Sequence, residues 1–312
     1  MIAASALVAH VLLAGHLGPR LLQDAAWTSR SPQAAVRCWL ALCLSVLLAA
    51  ALVPLTLAAP YLPLPGGGVH YGDPLGPWPA LVAQVALAAA LSALLVTGVR
   101  QVARTRRARS RQHDDLTLLG RPHPDGYVEL ADARAALWCL PRGWRRPAAV
   151  VVTTGARELL EPRELGVALR HEHRHLQARH HRAVALTGLL SGTFGRVGLF
   201  ARAHREVVEL VELAADDAAA PHERAVLGRA LVALSTGTTT DTLPAASGGL
   251  AASGTATLRR VRRLRAAAPA PGHLGRALAL AAAGVVLAAP PLLAVAPGVE
   301  AALHHCAPLV RA

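Results

Sequence analysis

His171-Glu172-His173-Arg174-His175 is an H-E-x-x-H sequence, and its residue types and spacing suit a hydrolytic metal site. Residues four apart share one helix face, so His171 and His175 can offer imidazole nitrogens to one ion at about 2.0–2.1 Å. Glu172 lies about 100° round the helix from His171, close enough to act as general base on a water at that ion. Two imidazoles and a carboxylate favour Zn2+, one ion per chain. A catalytic zinc site takes a third protein ligand and leaves one position open. The stretch Glu206–Ala220 offers Glu206, Glu209 and Glu212. Of these, Glu212 has an Asp four residues on, Asp216, which on a helix shares its face and can hold the outer N–H of a ligating imidazole. An acidic, solvated helix face accounts for the same glutamates. On a continuous helix His173 and His180 point away from His171 and His175 and read as solvated or packed side chains, as does His181. His222 and Arg224 are weak candidates to stabilise an oxyanion and read otherwise as surface residues. His304-His305-Cys306 lacks a fourth donor and reads as inert.

The elements that would position these groups follow from pattern and punctuation. Leu165–Val184 reads as helical, with Glu161 or Pro162 opening the helix; Ala201–Ala220 and Glu223–Leu234 read as two more helices. Ala148–Thr154 reads as a buried or edge strand and Tyr127–Leu130 as a weaker one. As an edge strand, Val151, Val152, Thr153 and Thr154 would bind an extended peptide by strand addition. Ser235–Thr257, rich in Thr, Gly, Ser and Ala, reads as a loop, and Thr257–Ala268 as a basic helix along an anionic membrane surface.

Composition sets the setting. Hydrophobic residues make up 53% of the 312 and charged ones 16%, with a mean hydropathy of +0.37, too apolar for an ordinary soluble chain of this length. Cys38–Ala59, Trp78–Val99 and Ala277–Val299 are free enough of charge to cross a hydrocarbon core of about 30 Å as helices. Ile2–Leu17 reads as a shorter first span, because it lacks the basic start and cleavage site of a secretory signal. Pro290 and Pro291 predict a kink in the last span. The chain then divides into a membrane domain at 1–100 with spans at about 2–17, 38–59 and 78–99, a domain at 101–276 holding the H-E-x-x-H, and a fourth span with a short tail at 277–312. The fold class expected is a mainly α multi-pass cell-membrane protein with an α+β domain between the third and fourth spans. Gly18–Arg37 carries Arg20, Arg30 and Arg37 while Pro60–Pro77 carries no basic residue, which places the first loop and the 101–276 domain in the cytoplasm.

The formal charge of +13 comes entirely from Arg, clustered in 100–111, 142–146 and 259–265 beside apolar spans. Such clusters read as contacts to the lipid bilayer rather than to nucleic acid, and no recognised DNA-binding motif accompanies them. The four cysteines, Cys38, Cys43, Cys139 and Cys306, form neither a disulfide framework nor a C-x-x-C zinc pair.

V-V-V-T-T-G, E-L-x-x-x-L-R-H-E-H-R-H-L-Q-A-R-H-H and L-V-E-L-A-A-D-D-A, in this order between a third and a fourth span, resemble the BlaR/MecR-type membrane zinc metallopeptidases. The E-x-x-A-D element is shared with HtpX and CAAX-protease relatives, the gluzincin group. The resemblance implies a gluzincin-type metallopeptidase domain in which His171, His175 and Glu212 hold zinc, Glu172 is the general base and Asp216 supports a ligand from behind. It also implies an endopeptidase acting on a protein or peptide, in this family a cytoplasmic transcriptional repressor; membrane-protein quality control is the HtpX-like alternative, and a non-catalytic signalling scaffold a third. Arg174 departs from the family's usual small residue before the second histidine. The segment after the fourth span offers no counterpart to the penicillin-binding sensor, so beta-lactam sensing is not expected.

Overall fold

The computed structural model describes residues 2–59, 77–143, 146–237, 254–266 and 273–306 and is mainly helical. Four helices are long and apolar enough to cross a membrane. They are α1 (Ile2–Gln23), α3 (Pro32–Ala58), α4 (Trp78–Leu119) and, after the intervening elements, α11 (His273–Cys306); a single turn, α2 (Trp27–Arg30), joins the first two. Helix α3 is the hub, touched by α1, α4 and α11. The outward faces of α1, α4 and α11 leave Leu12, Val82, Leu95, Val285 and Leu292 exposed, as apolar solvent demands.

All four helices outrun the expected spans: α1 reaches Gln23 rather than Leu17, and α3 opens at Pro32 rather than Cys38. Helix α4 runs 42 residues, about 63 Å. It continues through the Arg100–Arg111 run because no glycine or proline interrupts it between Gly98 and Gly120 and Arg is a good helix former. Helix α11 runs 34 residues, His273–Cys306, beyond both ends of the expected 277–299. The 60–76 part of the apolar loop and most of the Ser235–Thr257 segment lie outside the described residues.

After α4 come β1 (Gly120–Pro122), β2 (Val128–Leu130), β3 (Leu137–Leu140) and β4 (Ala149–Thr153), in a sheet of order β1-β2-β4-β3. Strand β4 pairs parallel with β2 and antiparallel with β3, with Val151 opposite both Val128 and Trp138. The edge-strand expectation for Val151, Val152, Thr153 and Thr154 is thereby corrected: both sides of β4 are taken, and Val151, Val152 and Thr153 are fully buried. Thr153 instead builds the turn beyond. Its hydroxyl accepts from the Ala156 N–H at the start of α5 (Thr154–Leu159) and donates to the Arg134 carbonyl. Thr154 closes the same turn on Asp132. Gly155 is required there, since a Cβ would sit 2.1 Å from the Ala133 carbonyl oxygen.

The remaining helices are α6 (Pro162–Gln177), α7 (His180–Phe194), α8 (Gly198–Asp216), α9 (Arg224–Gly237) and α10 (Gly254–Arg265). The continuous helix expected over Leu165–Val184 is divided. Arg179 takes a left-handed conformation, φ 53°, and α7 starts afresh at His180. Val150 and Val152 of β4, with Tyr127 just before β2, pack with Leu165 of α6 and Ala230 of α9. Val167, Leu227 and Leu264 join α6, α9 and α10. The largest core crosses the expected domain boundary, for Val36, Trp39, Cys43 and Val46 of α3 interlock with Phe200, Val207, Leu210 and Val211 of α8.

Candidate metal centre

Helix α6 is started firmly. Pro162 occupies its first position, where a missing N–H costs nothing, and the Glu164 carboxylate accepts from the Glu161 N–H at 3.3 Å. Arg229 of α9 pins the same carboxylate at 3.0 Å. With Leu165, Val167 and Ala168 buried, the helix turns His171 inward and leaves His175 half-buried one turn on. Helix α8, anchored on α3 by its apolar face, brings Glu212 and Asp216 to the same place.

His171, His175 and Glu212 converge. Nε2 of His171 is 3.2 Å from Nε2 of His175 and 3.6 Å from one Glu212 oxygen, whose other oxygen is 3.5 Å from Nε2 of His175. Among the described residues, this is the group of three able to share a metal ion. For ligand bonds of about 2.0–2.1 Å, the edges of a tetrahedron measure about 3.3–3.4 Å; the His171–His175 edge of 3.2 Å is close to that, and the three ligand atoms all lie within 4.8 Å of one another. Nδ1 of His171 lies 3.2 Å from Oδ1 of the fully buried Asp216, an ion-pair distance without hydrogen-bond alignment, and with an ion on Nε2 the ring proton would sit on that side. The 3.2 Å between the two Nε2 atoms is spanned by a proton when one ring donates to the other, or by a shared cation when both present lone pairs.

The rejected glutamates have other partners. Glu206 accepts from Gln23, and Glu209 pairs with Arg259 at 2.6 Å. Glu172 follows His171 on the helix and is half-buried beside the Cys139 thiol of β3. Burial pushes its carboxyl above the ordinary range, helped by Glu212 and opposed by His171. For His171 burial favours the neutral ring, but Asp216 and Glu212 outweigh it and push its pKa up to about 10. Glu212 is held below the ordinary range, because His171, Arg260 and His175 together overcome the cost of burying its charge.

Two residues escaped the sequence reading. Arg260 of α10 is buried and grips Asp216 with two bonds, Nη2 to Oδ1 at 2.6 Å and Nε to Oδ2 at 3.0 Å. Its Nη1 is 2.9 Å from Glu212, and Nη2 is 3.3 Å from Nε2 of His171. One guanidinium thus spans both carboxylates of the site. His180, expected to face away, is buried with Nδ1 3.2 Å from Nδ1 of His175, because the left-handed turn at Arg179 swings it back. Of the other expectations, His173 bonds the Leu169 carbonyl of its own helix, and His222 is exposed. Arg224 is buried but spends itself on the Arg263 carbonyl and Asp217, away from the site. The side chains of His304, His305 and Cys306 lie outside the described residues.

A comparison of the chain with protein-family models, with curated proteins and with solved structures finds no match.

Proposed function

We propose that this chain is an integral-membrane zinc endopeptidase of the BlaR/MecR type. Its site would face the cytoplasm, on the side of the Arg-rich first loop, and act in regulatory cleavage of a protein such as a transcriptional repressor. The observation that carries the reading is the convergence of His171, His175 and Glu212, whose ligand atoms lie within 4.8 Å of one another, with Glu172 next in sequence to the first of them. The residues that would hold the ion are those three. When bound, zinc supplies Lewis acidity and eases deprotonation of water near neutral pH. Glu172 takes the proton of the attacking water and hands it to the leaving amine, a role suited to a carboxyl raised by burial. Asp216 keeps His171 in the tautomer that points Nε2 at the ion. The substrate strand belongs on β3, not β4: β3 is the sheet's edge, packs against α6 and carries Cys139 beside Glu172.

Arg260 favours a second reading. A buried guanidinium already pairs with Glu212 and Asp216, so the cluster could serve as a structural ion-pair network in a non-catalytic scaffold. One experiment separates the two. Detergent-purified wild type should carry near-stoichiometric zinc and hydrolyse casein, whereas Glu172→Gln should carry the same zinc and hydrolyse none. Hydrolysis by Glu172→Gln would remove Glu172 as base, and folded wild type without zinc would leave the structural network.

A further inference from the structure

His175 is held from behind by side chains that lead to a membrane helix. With Nε2 of His175 committed to an ion shared with His171 and Glu212, its proton would belong on Nδ1, 3.2 Å from Nδ1 of His180. That His180 nitrogen must then accept, which puts the His180 proton on Nε2, 3.3 Å from the amide oxygen Oε1 of Gln33. An amide oxygen only accepts. The directions imposed at the ligand end and at the glutamine end therefore agree, N–H of His175 to His180 and N–H of His180 to Gln33. The His175 and His180 rings meet edge to face, centroids 5.0 Å apart, and His180 is 3% exposed, so few other arrangements are open to either ring. Gln33 belongs to the first turn of α3, whose Trp39 and Val46 also support the helix carrying Glu212.

We propose that His180 and Gln33 are positioning residues for the ligand His175, and that through them metal affinity depends on the placement of membrane helix α3. The proposal rests on the metal reading of His171, His175 and Glu212. A hydrogen bond of 3.3 Å tolerates little displacement, so a shift of α3 by an ångström would leave His180 without its acceptor and release the orientation of His175.

The test uses the full chain in detergent. Zinc affinity is measured by competition with a chromophoric chelator, the visible spectrum of the cobalt-substituted protein reports ligand geometry, and unfolding without metal serves as the control. His180→Leu should weaken zinc binding about 10–100-fold. Gln33→Leu should weaken it in the same direction, and both should shift the cobalt spectrum. His180→Asp and Gln33→Glu each restore an acceptor and should return affinity towards wild type. Apolar variants that bind zinc as wild type does, or Asp and Glu variants that fall as far as the apolar ones, would overturn the proposal. If His180→Leu does not fold, the Gln33 pair decides alone. Wild type without zinc would remove the metal reading itself, and the positioning role with it.

Discussion

At the scale of the residue, the centre is governed by which nitrogen of each histidine carries its proton. Asp216 lies beside the outer nitrogen of His171 and His180 beside that of His175, while both inner nitrogens face Glu212. Glu212 is the member of the candidate triad that comes from another helix. Its truncation, Glu212→Ala, should lower zinc affinity by more than the roughly 100-fold that loss of a supporting residue costs; unchanged affinity in a chelator competition would move the third ligand elsewhere. His171, His175 and the Glu212–Asp216 pair were legible because four-residue spacing within one helix is fixed arithmetic. What lay between helices was not. Nothing in the sequence says that Glu209 would meet Arg259, or which arginine of the basic run would turn inward to become Arg260.

At the scale of the element, the break between α6 and α7 decides the fate of His180. Helical periodicity carried through Leu165–Val184 puts that residue opposite the ligands, and a single left-handed residue reverses the outcome. Arg179 holds φ 53° without the freedom glycine has, at a cost of roughly 1–2 kcal/mol. Arg179→Gly should therefore keep the turn and leave stability unchanged or raise it by up to about 1 kcal/mol, after the entropy glycine adds to the unfolded chain. Chemical denaturation showing a clear loss would mean that the Arg179 side chain, rather than the turn, holds α7. The strands show the same limit of local signals. Ala148–Thr154 was legible as a strand from its Val run, yet its central place depended on β3, where the short Leu137–Leu140 segment offers no alternation to read.

At the scale of the whole molecule, four apolar helices among the described residues were legible from composition and length, and the packing of α3 against α8 was not. Helix α8 carries Glu212 and is seated on α3, so a helix long and apolar enough to cross a membrane also backs the candidate metal triad. Trp39 is 1% exposed at the centre of that contact. Trp39→Ala should cost about 3–5 kcal/mol and lower zinc affinity by loosening α8. A variant that loses stability in unfolding experiments yet binds zinc as wild type does would show that the helix contact does not set the site.

The most direct measurement is zinc K-edge X-ray absorption on the purified full chain. Two imidazole nitrogens and one or two oxygens at about 2.0–2.1 Å, with loss of the carboxylate oxygen in Glu212→Ala, are the result expected of His171, His175 and Glu212. Sulfur ligands at about 2.3 Å, or a zinc environment indifferent to Glu212→Ala, would contradict it.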